Sequence, residues 1–246
     1  MEFSGKVALV TGSNSGIGRA IAQDLAALGA HVLVSGRDAE RGAQTVAAIR
    51  AGSGKADFLP ADLRDADSAR ELARRATETA GHVDILVNNA GIGAFGPTPA
   101  TTETDFDTMY AVNVKAPYFL TAALAPAMAE RGAGAVVNIS TMVASFGLPG
   151  MALYGSTKAA VNLLTKAWAA EFGPQGVRVN AVAPGPVLTE GTEPMGDGLG
   201  RLAAQAPAAR IADPTEIARA VVYLAGNGAS FVQGVVLPVD GGRAAV

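Results

Sequence analysis

Tyr154 and Lys158 stand four residues apart in Tyr154-Gly155-Ser156-Thr157-Lys158. On a helix that spacing puts the phenol and the ammonium on one face, one turn apart. A free tyrosine loses its proton near pH ~10, too high for acid or base work at neutral pH. A fixed cation beside it favours the phenolate and lowers that pKa. The pair is a candidate proton donor and acceptor that carries its own tuning charge. Such pairs are common on ordinary helices, so the reading needs support from the rest of the chain.

A second group lies near the start. Gly12, Ser13, Asn14, Ser15, Gly16, Ile17 and Gly18 form a glycine-rich turn directly after the apolar run Val7-Ala8-Leu9-Val10. Glycine lets the backbone turn tightly and approach a ligand, and a helix N-terminus attracts a pyrophosphate. The spacing is G-x-x-x-G-x-G, which departs from the general dinucleotide fingerprint. The next strand ends Val34-Ser35-Gly36-Arg37-Asp38. A carboxylate at this point would hold the ribose hydroxyls of NAD. Here Gly36 leaves room and Arg37 offers a guanidinium to a 2′-phosphate, which favours NADP(H) while leaving NAD(H) possible. Asp38 serves either as a helix cap or as a ribose ligand. Asp62-Leu63 could meet an adenine amino group, or Asp62 could bond only its own turn. In Asn88-Asn89-Ala90-Gly91, the asparagines can tie loops together, and Ala90-Gly91 gives a cofactor room.

These groups require a scaffold of alternating strands and helices. Strands are predicted at Val7–Val10, His31–Val34, Ala56–Leu59, Ile85–Val87, Ala135–Ile139, Val177–Val182 and Val235–Val239. Helices are predicted between them, including Glu103–Val114, Pro117–Arg131, and the Tyr154 helix ending near Gly173. The alternation implies one doubly wound α/β domain, residues 1–246, with a parallel sheet covered on both faces. The helices Pro117–Met128 and Ala159–Phe172 are apolar nearly all round. A helix of that kind is buried on every side, so a second copy of the chain is expected to cover them, in a homodimer or homotetramer.

The 246 residues are 49% hydrophobic with a net charge of −3, enough for one large core and without a basic run to meet nucleic acid. With no cysteine and two histidines, neither a disulfide scaffold nor a Cys- or His-rich metal site is expected. No stretch reaches the ~20 apolar residues of a membrane span. The opening Met1-Glu2-Phe3-Ser4-Gly5-Lys6 lacks the pattern of a secretory leader. A cytoplasmic protein is the expectation.

Taken in order, Thr11-Gly12-(x3)-Gly16-Ile17-Gly18, Asn88-Asn89-Ala90-Gly91, Asn113-Val114-Lys115, Tyr154-(x3)-Lys158 and Pro184-Gly185 resemble the short-chain dehydrogenase/reductase family, over essentially the whole chain. The resemblance implies a seven-stranded Rossmann sheet of order 3-2-1-4-5-6-7, a nicotinamide cofactor, and usually a tetramer. It implies that Tyr154 is the acid/base. Lys158 would lower its pKa and bond the nicotinamide ribose, and Asn113 would hold a water in a proton relay. The family's serine, thirteen residues before the tyrosine, is replaced by Thr141. That hydroxyl can still bond a substrate oxygen, though its methyl narrows the site. The neighbouring Ser140 is the less favoured candidate. Pro184, Gly185, Val187 and Thr189 would run along the nicotinamide half, with Ile17 and Val112 as apolar contacts.

The implied reaction is reversible reduction of a ketone or aldehyde, with similarity to 3-oxoacyl-carrier-protein reductases. Residues from about 188 to 212 resemble the family's variable lid. Phe95, Met142, Phe146, Met151 and Met195 are candidates for an apolar pocket, and Arg201 and Arg210 for gripping an acidic substrate or a carrier phosphate. Two alternatives stand beside this reading. One is an NAD-linked secondary-alcohol or sugar-alcohol dehydrogenase. The other is a nucleotide-binding redox sensor without turnover.

Overall fold

The computed structural model describes residues 1–246. Its central strands form on short, mostly apolar runs, while the third and sixth strands also carry charged residues. The strands are β1 (Val7–Val10), β2 (His31–Gly36), β3 (Lys55–Pro60), β4 (Ile85–Asn88), β5 (Gly134–Ile139), β6 (Val177–Pro184) and β7 (Val236–Val239). All neighbours pair in parallel, in the order β3-β2-β1-β4-β5-β6-β7. This is the order that the family resemblance implies. A parallel sheet brings every strand's carboxyl end to one edge, so the turns leaving β1, β2, β4 and β5 gather there.

Both faces of the sheet are dry, which is why the central strands carry apolar residues in unbroken runs. In β1, Ala8 and Val10 enter a core shared with α1 (Gly16–Ala27), α2 (Ala39–Ala51) and α8 (Pro214–Ala225). Ile21, Leu25, Val46, Ile217 and Leu224 fill it. Val7 and Leu9 point the other way, into a core shared with α3 (Ala66–Ala80), α5 (Ala116–Glu130) and α6 (Ala152–Phe172). Leu72, Leu120, Leu124, Met128 and Trp168 fill that one.

Polar residues cross the second core as a connected chain. Asn88 and Asn138 lie opposite each other in the β4–β5 ladder. Asn88 donates to Asn138 Oδ1 at 2.9 Å, and Asn138 donates to Thr165 Oγ1 on α6 at 2.8 Å. Buried amides need partners, and this line fastens α6, the helix that carries Tyr154, to the sheet.

The predicted break between two helices after Val114 is absent. Instead α4 (Glu103–Tyr110) passes through one π-turn, Ala111–Lys115, into α5 with helical backbone at both junctions. Such a turn adds a residue to the helix and rotates the side chains that follow. Asn113 sits inside it, completely buried.

The outer face of α5 and α6, expected to be covered by a second copy, is exposed and largely apolar in the single chain. Leu163 is 69% exposed and Tyr118 45% exposed, among exposed alanines at 122, 123, 127, 159 and 167. No helix is long and apolar enough to cross a membrane.

Candidate active site

At the carboxyl edge of the sheet, a cleft of about 740 Å³ opens between the turns after β1, β2, β3 and β4. Of the predicted dinucleotide residues, Gly12, Asn14, Ser15, Gly16, Ile17, Gly18, Arg37, Asp62, Leu63, Asn89, Ala90, Gly91, Val112 and Thr189 line it. The local reasons are steric. Gly12 and Gly16 have φ of +62° and +51°, a region costly for side chains. A Cβ on Gly18 would lie 2.3 Å from the Gly12 carbonyl oxygen, so this glycine lets α1 close on β1. The two turns are also tied together. Thr11 Oγ1 accepts from the backbone N–H of Asn89 at 3.0 Å and of Ala90 at 2.9 Å. Asn89 Nδ2 donates back to the Thr11 and Gly12 carbonyls.

Several predicted residues take a different role. Ser13 is fully buried; its hydroxyl donates to the Val10 carbonyl and accepts from the Ser35 N–H, so it braces β1 against β2. The space at Gly36 is filled by Asn14, whose side chain would lie 2.5 Å from an added Cβ. Pro184 belongs to β6, and Gly185 packs against Asp240 at the end of β7. Val187 is buried and its carbonyl accepts from Thr192 Oγ1 at 2.6 Å. These three lie outside the lining of this cleft, as do Thr141, Tyr154 and Lys158. Asp38 caps α2 by accepting from the Arg41 N–H. Asp62 pairs with Arg64 while bordering the cleft. Arg41 was not anticipated. It lines the cleft with Arg37, in the first turn of α2, and because Arg37 precedes that helix no helical spacing in the sequence links the two.

Tyr154 and Lys158 lie on α6, with Thr141 at the end of β5. The Thr141 hydroxyl stands close enough to the Tyr154 phenol to lower its pKa. Ser140 instead bonds the Lys158 backbone carbonyl, at 3.5 Å, which leaves Thr141 as the hydroxyl beside the tyrosine. Lys158 is buried and its Nζ donates to the Ile139 carbonyl at 2.8 Å. Gly91 makes this possible, since a Cβ there would lie 3.2 Å from Nζ. Asn113 is consumed by bracing. It accepts from the Ile92 N–H and donates to the Ile92 carbonyl, both at 2.9 Å, and to Thr157 Oγ1 at 3.1 Å. Its two side-chain donors are therefore spent on fixing the β4 turn and the Tyr154 helix turn, which leaves only acceptor capacity for a water.

The electrostatics of the protein alone run against the predicted tuning. Burial pushes the Tyr154 phenol up to about 12, and the nearby Thr141 hydroxyl only partly offsets this. Burial pushes the Lys158 ammonium down to about 8. The lysine faces a carbonyl and stands 6.0 Å from the centre of the tyrosine ring, with no carboxylate beside it. Desolvation outweighs the attraction that the spacing suggested.

Around this centre, Phe95 is 52% exposed and meets the Tyr154 ring edge-on at 5.6 Å. Met142 is core, and Phe146 lies under the Arg243 guanidinium. Arg210 makes two bonds to Glu216, at 2.8 and 2.7 Å, so it is not free to grip an acidic substrate; its spacing gave no hint of this partner. Residues 188–212 contain a short helix, α7 (Asp197–Ala203), and close on themselves through a bridge between Val187 and Ala212.

A lysine whose pKa falls on folding opposes folding while it is charged. Below about pH 8 Lys158 is charged in both states and the penalty is complete; it fades as pH rises to 10.5, the unfolded value. Lys158→Met is expected to stabilise the ligand-free protein at pH 7 by about 1–3 kcal/mol, with a smaller gain at pH 10. Urea unfolding at the two pH values checks this, and a loss of stability at pH 7 contradicts it.

The chain matches a family model described as enoyl-(acyl carrier protein) reductase over residues 12–244. It is 35% identical to a 3-oxoacyl-[acyl-carrier-protein] reductase of Thermotoga maritima, with 98% of this chain and 99% of that protein covered. A solved short-chain dehydrogenase/reductase family protein superposes with a TM-score of 0.93 at 50% identity, each chain covered completely. A provisionally assigned NAD(P)-dependent gluconate 5-dehydrogenase of Beutenbergia cavernae, solved with NADP at low occupancy, superposes with a TM-score of 0.93 at 40% identity, again over both whole chains. With its sheet order, its glycine turn and its Thr–Tyr–Lys cluster, the chain belongs to the short-chain dehydrogenase/reductase family of oxidoreductases, which act on alcohol and carbonyl groups.

Proposed function

We propose that the protein is an NADP(H)-dependent carbonyl reductase that interconverts a ketone or aldehyde and its alcohol. The observation that carries this is the meeting of the Thr141 hydroxyl, the Tyr154 phenol and the buried Lys158 ammonium beside a glycine-lined cleft. Gly12, Gly16 and the N-terminus of α1 fit a dinucleotide's diphosphate, and Arg37 and Arg41 fit a 2′-phosphate. Reduced cofactor supplies the hydride. The chain's own residues handle the oxygen. Thr141 and Tyr154 donate hydrogen bonds to it, Tyr154 gives up its proton, and the Lys158 charge stabilises the developing oxyanion. Asn113 acts as a brace that holds Lys158, Tyr154 and the β4 turn in one geometry. The segment 188–212 serves as the substrate lid.

The substrate candidates come from the relatives. A 3-oxoacyl thioester and a keto sugar acid are the two to try first, because one relative is named as a 3-oxoacyl reductase and another as a gluconate dehydrogenase. The cytoplasm is the compartment we propose. A second copy of the chain is proposed to cover the apolar outer face of α5 and α6. Sedimentation should give a multiple of the 24.7 kDa chain mass, and Leu163→Asp should shift it toward the monomer. A wild-type monomer would sink this part of the proposal.

Tyr154→Phe is expected to lower kcat at least ~1000-fold with NADPH affinity nearly unchanged, as loss of a proton donor and an oxyanion contact implies. In the wild type, kcat/KM for reduction should decline above about pH 8, as Lys158 loses its proton. NADPH fluorescence with a panel of carbonyl compounds measures both. If Tyr154→Phe turns over at the wild-type rate, the assignment fails, and a wild type inert to the whole panel would favour the redox-sensor alternative.

Arg37→Ala separates NADP(H) from NAD(H). Loss of charge-assisted bonds should weaken NADP+ binding about 10- to 100-fold and leave NAD+ within about twofold. Equal effects on both would favour the NAD-linked alternative.

A further inference from the structure

The N-terminus of α1 already holds an anion, and it is part of the chain. This end of a helix gathers unpaired N–H groups and the positive pole of the helix dipole. Ser15, the residue at its cap position, gives no side-chain bond to it. Glu190 does so from the far end of the sequence. Its Oε2 accepts a 2.9 Å hydrogen bond from the Gly16 N–H, and its Oε1 pairs with Arg19 Nη2 at 2.6 Å. The neighbouring Thr189 is packed on Gly16, with its Cβ 3.2 Å from where a side chain on Gly16 would begin. Gly16, Thr189 and Gly191 all border the dinucleotide cleft.

We infer that Glu190 is a built-in competitor for the cofactor's diphosphate. It occupies the anion seat of α1 in the free protein and must leave, releasing Arg19, before the diphosphate can be held there. The inference rests on the dinucleotide reading above. Two anions compete for one N–H donor, and like charges a few ångströms apart repel. Glu190 thus sets the affinity for the dinucleotide without touching the reacting atoms. The exchange also reaches the lid. Glu190 lies within a tight turn in which the Thr192 N–H donates to Thr189 Oγ1 and Thr192 Oγ1 donates to the Val187 carbonyl. Movement of Glu190 therefore acts on the root of the segment that covers the substrate.

Glu190 is exposed on the surface, so its replacement leaves the core intact. Calorimetric titration of wild type, Glu190→Gln and Glu193→Gln with NADP+ and with adenosine 2′-monophosphate tests the inference. The second probe reaches the Arg37 end of the cleft but carries no diphosphate. Glu193→Gln removes the same charge three residues away, from a side chain with no ion pair. Glu190→Gln should bind NADP+ about tenfold more tightly and adenosine 2′-monophosphate within about twofold of wild type. Glu193→Gln should match wild type with both probes. Unchanged or weaker NADP+ binding by Glu190→Gln overturns the inference. So does an equal gain with adenosine 2′-monophosphate or in Glu193→Gln, either of which would mark a general charge effect. If neither wild type nor Glu190→Gln binds NADP+, the dinucleotide reading itself fails and this inference falls with it.

Discussion

The Lys158 ammonium is buried without a carboxylate partner and is held by one backbone carbonyl, that of Ile139 at the end of β5. Much of the surrounding structure exists to allow that. Gly91 withholds a side chain from the space the ammonium needs. The π-turn carries Asn113 into the core, where its amide fastens Ile92 on one side and Thr157 on the other. Thr157 in turn donates to the Tyr154 carbonyl, so the acid/base turn is gripped from within. A charge kept dry in this way is destabilising, and it is the kind of local cost that functional sites retain. The same desolvation raises the tyrosine, so the two groups stay far apart in pKa in the protein alone.

The sheet supplies the other half of the arrangement. Seven parallel strands deliver their turns to one edge, and the turns after β1 and β4 are knitted by Thr11 and Asn89 into a single unit. The Asn88–Asn138–Thr165 chain then ties that unit to α6 through the core. The glycine turn and the acid/base pair are therefore fixed relative to one another by buried hydrogen bonds, which net about 1 kcal/mol each but cost more when a partner is missing. At the opposite end of the cleft, Arg37 and Arg41 remain exposed, Arg41 in an exposed ion pair with Asp38. Braced chemistry at one end and solvent-exposed cations at the other suit a ligand whose reactive end must be placed and whose far end need only be recognised.

The sequence by itself determined the fold class, the strand order through the family motifs, and the identity of most cleft residues. Apolar runs mark strands buried on both faces, and glycine spacing marks a turn that only glycine can make, so both are local properties that travel with the residues. The sequence also pointed to Thr141 over Ser140. Tertiary structure decided what each polar group spends its bonds on. Nothing near Ser13 in the chain announces Ser35, nothing in the spacing of Arg210 announces its two hydrogen bonds to Glu216 at the α8 cap, and nothing near Asn113 announces Ile92. The sign of the tyrosine shift was beyond the sequence for the same reason. A spacing of four fixes which face two groups share, but the dielectric around them is set by atoms from β5, the β4 turn and the π-turn, and those arrive only when the chain folds.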